Sequence, residues 1–239
     1  MECPNAMRKS AFVRDVCVVG IIFLLLTSCN QATSHILFIG NSYTFFNGGL
    51  DQQLKGLAPT TATALIAVSG YTLEDHWNRG DALKTIRKGG WNYVVLQEQS
   101  LGPVVDSAKF FNSVRNFDVE VRASGASSIL LMTWERPDSI KFGVTTATLA
   151  AAYNAAGQEL GIKVAPAGLA FARSLQERPD LVLNSEDGHP TIYGTYLAAC
   201  VLYGTIFEKS PLGNSYSGKG ISKDIRDYLQ QIAAQTLGY

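Results

Sequence analysis

The stretch Ile36-Leu37-Phe38-Ile39-Gly40-Asn41-Ser42-Tyr43-Thr44 decides how the chain reads. Four apolar residues run without interruption into Gly-Asn-Ser. A continuous apolar run of this length predicts a strand buried on both faces, as in a parallel sheet. Ligands of open α/β sheets bind just beyond the carboxyl ends of such strands. Gly40 and Asn41 both tolerate left-handed or tight backbone. The stretch therefore predicts Ser42 on a sharp turn at the mouth of the sheet, as a nucleophile or as the cap of the next helix.

Outward from this strand, apolar and β-branched runs predict four more strands: 61–68, 93–96, 128–132 and 162–165. Between and after them, periodicity and stop signals predict helices over 49–57, 73–77, 82–87, 107–123, 146–160, 168–176, 192–207 and 222–237. Alternation of five strands with helices calls for a parallel sheet covered on both faces, with right-handed crossovers. No repeat, low-complexity segment or linker interrupts residues 36–239, which read as one domain.

The 239 residues are 46% hydrophobic and 17% charged, enough to bury a sizeable core. Lys plus Arg equals Asp plus Glu at 20 each, so no basic excess argues for nucleic acid. The first 29 residues read separately. Arg8, Lys9 and Arg14 give a basic start, interrupted by Asp15. The apolar run 16–26 is too short to span a bilayer comfortably and has the shape of a signal-peptide core. Residues 30–35 then read as a short tether. Cys3 and Cys17 fall within the leader, and Cys200 stands alone in an apolar stretch, a core reading. No CxxC and no His/Cys cluster suggests a metal site, and nothing in the sequence asks for a cofactor.

Polar groups gather at the predicted strand ends: Gly40-Asn41-Ser42, Ser69-Gly70 and Gln97-Glu98-Gln99. A fourth cluster, Glu186-Asp187-Gly188-His189-Pro190, precedes the penultimate helix. Acyl transfer needs a hydroxyl nucleophile, a histidine base, a carboxylate to orient the base, and donors for the oxyanion. Only His35, His76 and His189 are available as bases. His35 comes before the first strand, at the wrong end of the sheet. His76 reads as a surface helix residue or as a pocket-lining one. Tyr43, Trp77 and Trp134, near strand ends, read either as core or as platforms for a sugar.

These blocks resemble the SGNH (GDSL-like) hydrolase superfamily over nearly the whole domain. Gly40-Asn41-Ser42 is similar to the nucleophile block, Gly70 to the glycine block, and Asp187-Gly188-His189 to the final block. The third block normally reads Gly-x-Asn, where this chain has Gln97-Glu98-Gln99. Gly-Asn-Ser-Tyr-Thr, Val-Val-Leu-Gln-Glu-Gln-Ser, and His-Pro-Thr with Gly194 to Ala199 resemble a bacterial branch of that superfamily. Leu26-Thr27-Ser28-Cys29 resembles a lipobox, which implies a lipidated Cys29, export and a membrane anchor in the cell envelope.

The resemblance implies a flavodoxin-like three-layer α/β/α sandwich and a serine esterase. Ser42 would be the nucleophile and His189 the base. The N–H groups of Ser42 and Gly70 with the side-chain amide of Gln99 would bind the oxyanion, with Gln97 as the alternative third donor. The superfamily places its aspartate three residues before the histidine, which is Glu186 here. Asp187 is two before; side-chain length and residue type favour it, the spacing favours Glu186, and both stay open. A carbohydrate acetyl ester or another small acyl ester is the implied substrate. The alternative is a non-catalytic surface lipoprotein of the same fold that binds glycans.

Overall fold

The computed structural model describes residues 33–239, together with Met1. The rest of the expected leader, with the lipobox-like stretch and Cys29, lies outside the described residues. Residues 33–239 belong to one compact unit. Its strands are β1 (Ser34–Gly40), β2 (Thr61–Ala67), β3 (Tyr93–Leu96), β4 (Ser127–Leu131) and β5 (Lys163–Ala165). Its α-helices are α1 (Ser42–Phe45), α2 (Leu50–Leu57), α3 (Leu73–Arg79), α4 (Asp81–Arg87), α5 (Gly102–Val105), α6 (Ser107–Ala123), α7 (Thr146–Leu160), α8 (Ala167–Glu177), α9 (Ile192–Phe207) and α10 (Lys223–Leu237). β1 starts at Ser34, so Ser34 and His35 belong to the sheet and not to a tether.

All strand pairs are parallel, in the order β2-β1-β3-β4-β5. In β1, Leu37 lies opposite Ala64 on one side and Val94 on the other. The apolar run of β1 is divided between two cores, as period-2 alternation requires. Ile36 and Phe38 pack with side chains of α2, α8, α9 and α10. Leu37 and Ile39 pack with those of α3, α4, α6 and α7. All four are fully buried, each contributing about 1.5–3 kcal/mol by leaving water. The result is three layers, α/β/α.

The sheet order decides where the site lies. From β1 the chain builds outward to β2 on one side and to β3, β4 and β5 on the other. The reversal leaves a crevice at the carboxyl ends of β1 and β3, the switch point at which doubly wound sheets bind ligands. Gly40-Asn41-Ser42 and Gln97-Glu98-Gln99 sit there. No helix among the described residues is long and apolar enough to cross a membrane. The most apolar of them, α9, is the packed centre of one helical layer, with Cys200 fully buried within it.

Candidate active site

Asn41, not Ser42, caps α1. Its backbone is extended, and its side-chain carbonyl accepts from the Tyr43 N–H at 3.1 Å. Its amide donates to Tyr71 O at 3.0 Å, tying the turn to the loop after β2. Neither Gly40 nor Asn41 has positive φ, so the left-handed backbone expected there is not what the turn uses. Gly40 is needed for space: a Cβ would meet Thr44 Oγ1 at 2.4 Å and Gln97 Oε1 at 2.5 Å. Gln97 Oε1 accepts from the Asn41 N–H and from the Thr44 hydroxyl, both at 2.8 Å. The serine-bearing turn is thus fastened to β3 by one buried amide.

His76 fastens the same turn from the other side. It is buried, so neither the surface nor the pocket-lining reading holds. Its Nε2–H donates to Gly40 O at 2.7 Å, and the carbonyl, an acceptor only, fixes that tautomer. Burial pushes its pKa below the usual histidine range, so the ring is neutral. The signal that could have found it is the capping box Thr72–Asp75. That box starts α3 at Leu73 and turns its fourth residue, His76, inward.

Ser42 opens α1, and its N–H has no intrahelical acceptor. Its Oγ lies 2.9 Å from His189 Nε2. His189 Nδ1 lies 2.8 Å from Asp187 Oδ2. The carboxylate only accepts, so the ring proton is on Nδ1 and the Nε2 lone pair faces Ser42. Asp187 Oδ1 also accepts from the Ser185 hydroxyl at 2.6 Å and the His189 N–H at 3.2 Å. These bonds, led by the one from Ser185, lower its pKa to about 2.

Glu186, the position favoured by the superfamily's spacing, does not reach the imidazole and makes no hydrogen bond among the described residues. A two-residue spacing suffices because Gly188 has φ +86, which folds Asp187 back over His189 as an Asx-type turn. Gly188 is also sterically required. A Cβ would come 2.3 Å from Tyr43 Oη and 2.4 Å from Arg136 Cδ.

Aromatic rings hold this loop from below and beside. Tyr43 stacks on Trp134 with ring centres 4.8 Å apart, and Trp134 on Phe171 at 4.2 Å. The Trp134 indole N–H donates to Gly188 O at 3.0 Å. Tyr43 and Trp134 are therefore core, and Trp77 packs edge-on against Phe117; none is a free platform. The aromatic residue that sequence reasoning missed is Phe46, partly exposed and stacked on the His189 ring at 4.1 Å.

Gly70 lies in the turn after β2 with φ +74, an exposed residue with open space around it. The side chain of Gln99 is oriented by its carbonyl. Gln99 Oε1 accepts from the N–H groups of Leu101 and Gly102 at 2.8 and 3.2 Å. Its Nε2 donates to Ser100 Oγ at 3.3 Å, with a second N–H left over. The amide of Gln97, by contrast, is buried, with Nε2 donating to Glu98 O. His35 is exposed in β1, far along the sheet from these residues. A groove of about 1110 Å³ runs beside the final block, lined by Arg136, Leu169, Leu175, Val182 and Asn184 among others. Among the described residues no group of three or more His, Cys, Asp or Glu is placed to hold a metal ion.

No protein-family model matches the chain, and no curated protein matches it. Solved structures do. A protein from Slackia heliotrinireducens, provisionally classed as an SGNH hydrolase, superposes with a TM-score of 0.65 at 28% identity, over 73% of this chain and 99% of that one. A DUF4886 family protein from Bacteroides uniformis gives 0.70 at 19% identity, over 87% and 95%. A variant of an acetyl-xylooligosaccharide esterase from a Geobacillus gives 0.54 at 15% identity, over 74% and 95%. The fold is the one seen in SGNH (GDSL-like) hydrolases, a class of ester-hydrolysing enzymes.

Proposed function

We propose that the chain is a serine esterase in which Ser42 is the nucleophile, His189 the base and Asp187 the residue that orients it. The observation that carries this reading is the unbroken relay from Ser42 Oγ to His189 Nε2 at 2.9 Å and from Nδ1 to Asp187 at 2.8 Å. As Ser42 Oγ bonds to the ester carbon, its proton passes to Nε2, and the carbonyl oxygen becomes an oxyanion. The imidazolium is stabilised by the Asp187 carboxylate. The N–H groups of Ser42 and Gly70 and the Gln99 amide are the oxyanion donors. Collapse breaks the bond to the alcohol, which leaves with the proton from Nε2. Water then repeats the sequence, releasing the acid and restoring Ser42.

The substrate proposed is a carbohydrate acetyl ester or another small acyl ester, and the support is likeness to an acetyl-xylooligosaccharide esterase. The chain is further proposed to be exported and anchored by lipid on Cys29. Support comes from Leu26-Thr27-Ser28-Cys29 following the apolar run; membrane fractionation and intact mass test it. The catalytic reading is tested with a serine-reactive fluorophosphonate and with acetylated xylo-oligosaccharides set against longer acyl esters. Wild type labels and cleaves the acetyl esters, and Ser42→Ala does neither. Absence of labelling in a folded wild type overturns the reading.

A further inference from the structure

One buried ionisable side chain has no part in the relay. Glu98, between Gln97 and Gln99, is only 2% exposed. The charges that reach it are the carboxylates of Asp75 and Glu74, which repel it. Burial pushes its carboxyl up to about 7. A carboxylate kept in such a place is costly, and perturbed acids of this kind gather at working sites.

Its two oxygens reach different loops. Oε2 accepts from the Leu73 N–H at 3.2 Å, and Oε1 from the Gln99 N–H at 2.6 Å. Leu73 opens α3, three residues beyond Gly70. Gln99 carries the side-chain amide assigned above to the oxyanion. One carboxylate therefore clamps the backbone after β2 to the backbone after β3. Gly102 makes room for it: a Cβ there would lie 3.0 Å from Glu98 Cγ and 3.2 Å from Oε1.

We infer that Glu98 is a positioning residue of the oxyanion hole, its carboxylate setting the spacing between the loop that carries Gly70 and the loop that carries Gln99. The inference rests on the esterase reading above. Preorganised donors stabilise a developing charge only where they are already at hydrogen-bond distance, and a displacement of about 1 Å costs about 10²-fold in rate. Glutamine at 98 has the same shape but one acceptor fewer. Its NH2 group faces one of the two backbone N–H groups and drives the loops apart. It also removes a desolvated charge, which favours the fold. Rate and stability therefore move in opposite directions, whereas a side chain that only fills the core moves them together.

The experiment compares wild type, Glu98→Gln and Gly102→Ala at pH 8, measuring hydrolysis of a small acetyl ester, the rate of fluorophosphonate labelling, and the thermal midpoint. For Glu98→Gln, kcat and the labelling rate fall by about tenfold or more, KM stays within about twofold, and the midpoint equals or exceeds that of wild type. Gly102→Ala, which presses on the carboxylate without altering it, lowers kcat several-fold at unchanged KM. Rates within twofold of wild type in both variants overturn the inference. So does a loss of rate that follows a fall in the midpoint, or one confined to KM. A wild type that labels while Glu98→Gln labels equally fast sinks the role of Glu98 alone. A folded wild type that does not label sinks the esterase reading and this inference with it.

Discussion

Ser42 and His189 meet at 2.9 Å, but different physics holds each of them. The serine turn rests on polar side chains that water does not reach. Gln97, His76 and Asn41 tie it to β3, α3 and the loop after β2. Asp187 and His189 stand at the rim, with side chains 68% and 25% exposed, and are ordered by bonds within five residues of chain. A buried partner lost leaves a desolvated group behind, at about 1–3 kcal/mol. A rim partner lost is replaced by water. The nucleophile side is therefore sensitive in stability, and the base side chiefly in chemistry.

The largest effect separates neither half. Ser42→Ala and His189→Ala each lower kcat by about 10⁴-fold or more, measured on an acetyl ester, with thermal midpoints near that of wild type. Next comes the rim. Asp187→Asn leaves an amide at Nδ1 and lowers kcat by about 10²–10⁴-fold, with KM and midpoint little changed. Glu186→Gln changes neither. A midpoint that collapses in Asp187→Asn would break the contrast, since the rim would then be structural.

The two glutamines sharpen it. Gln99→Ala lowers kcat by about 10²–10³-fold in a protein of nearly native stability. Gln97→Ala strands the Asn41 N–H and the Thr44 hydroxyl, so it destabilises by about 1–3 kcal/mol for each group left unpaired. Its activity loss follows the folded fraction in a denaturation curve. The reverse ranking would mean that Gln97 is the oxyanion donor.

The last effect is a gradual slope of stability with pH, not a loss of activity. Glu98 has a folded pKa near 7 against an ordinary 4.5. The folded chain thus binds more protons than the unfolded one between those values. Stability falls as pH rises through this window, by up to about 3 kcal/mol from this group. Asp187 has the opposite sign. Its pKa is lowered, so its contribution is present above pH 4 and is lost as pH falls toward 2. Thermal midpoints between pH 5 and 7 decline in wild type, and the decline flattens in Glu98→Gln.

The fold was legible because short apolar or β-branched runs alternate with helical patterns, and β1 and β3 end directly in Gly or polar residues. β3 and helices α6, α7 and α9 fall on their expected bounds. The short helices α1 and α5, of four residues each, were not legible, since one turn carries no periodicity. Ser42 and His189 could be read because their blocks keep the superfamily's residue types. Side-chain length and residue type favoured Asp187 over Glu186 against the superfamily's spacing, while the contact itself depends on the positive φ of Gly188. The burial of His76 escaped as well: on a seven-residue helix the only sequence signal for its face is the capping box Thr72–Asp75, which fixes where α3 starts.

Trp134 stands between two parts of the molecule that ordinary spectroscopy would otherwise have to label separately. Its ring lies in the Tyr43–Trp134–Phe171 stack, and its indole N–H is bonded to the carbonyl of Gly188. Trp77 and Trp91 belong to the opposite core. Opening the Asp187-Gly188-His189 loop breaks that bond and changes the polarity around one indole out of three. Emission from Trp134, isolated in a Trp77→Phe/Trp91→Phe background, is thus a built-in optical reporter of whether the base is seated over the serine.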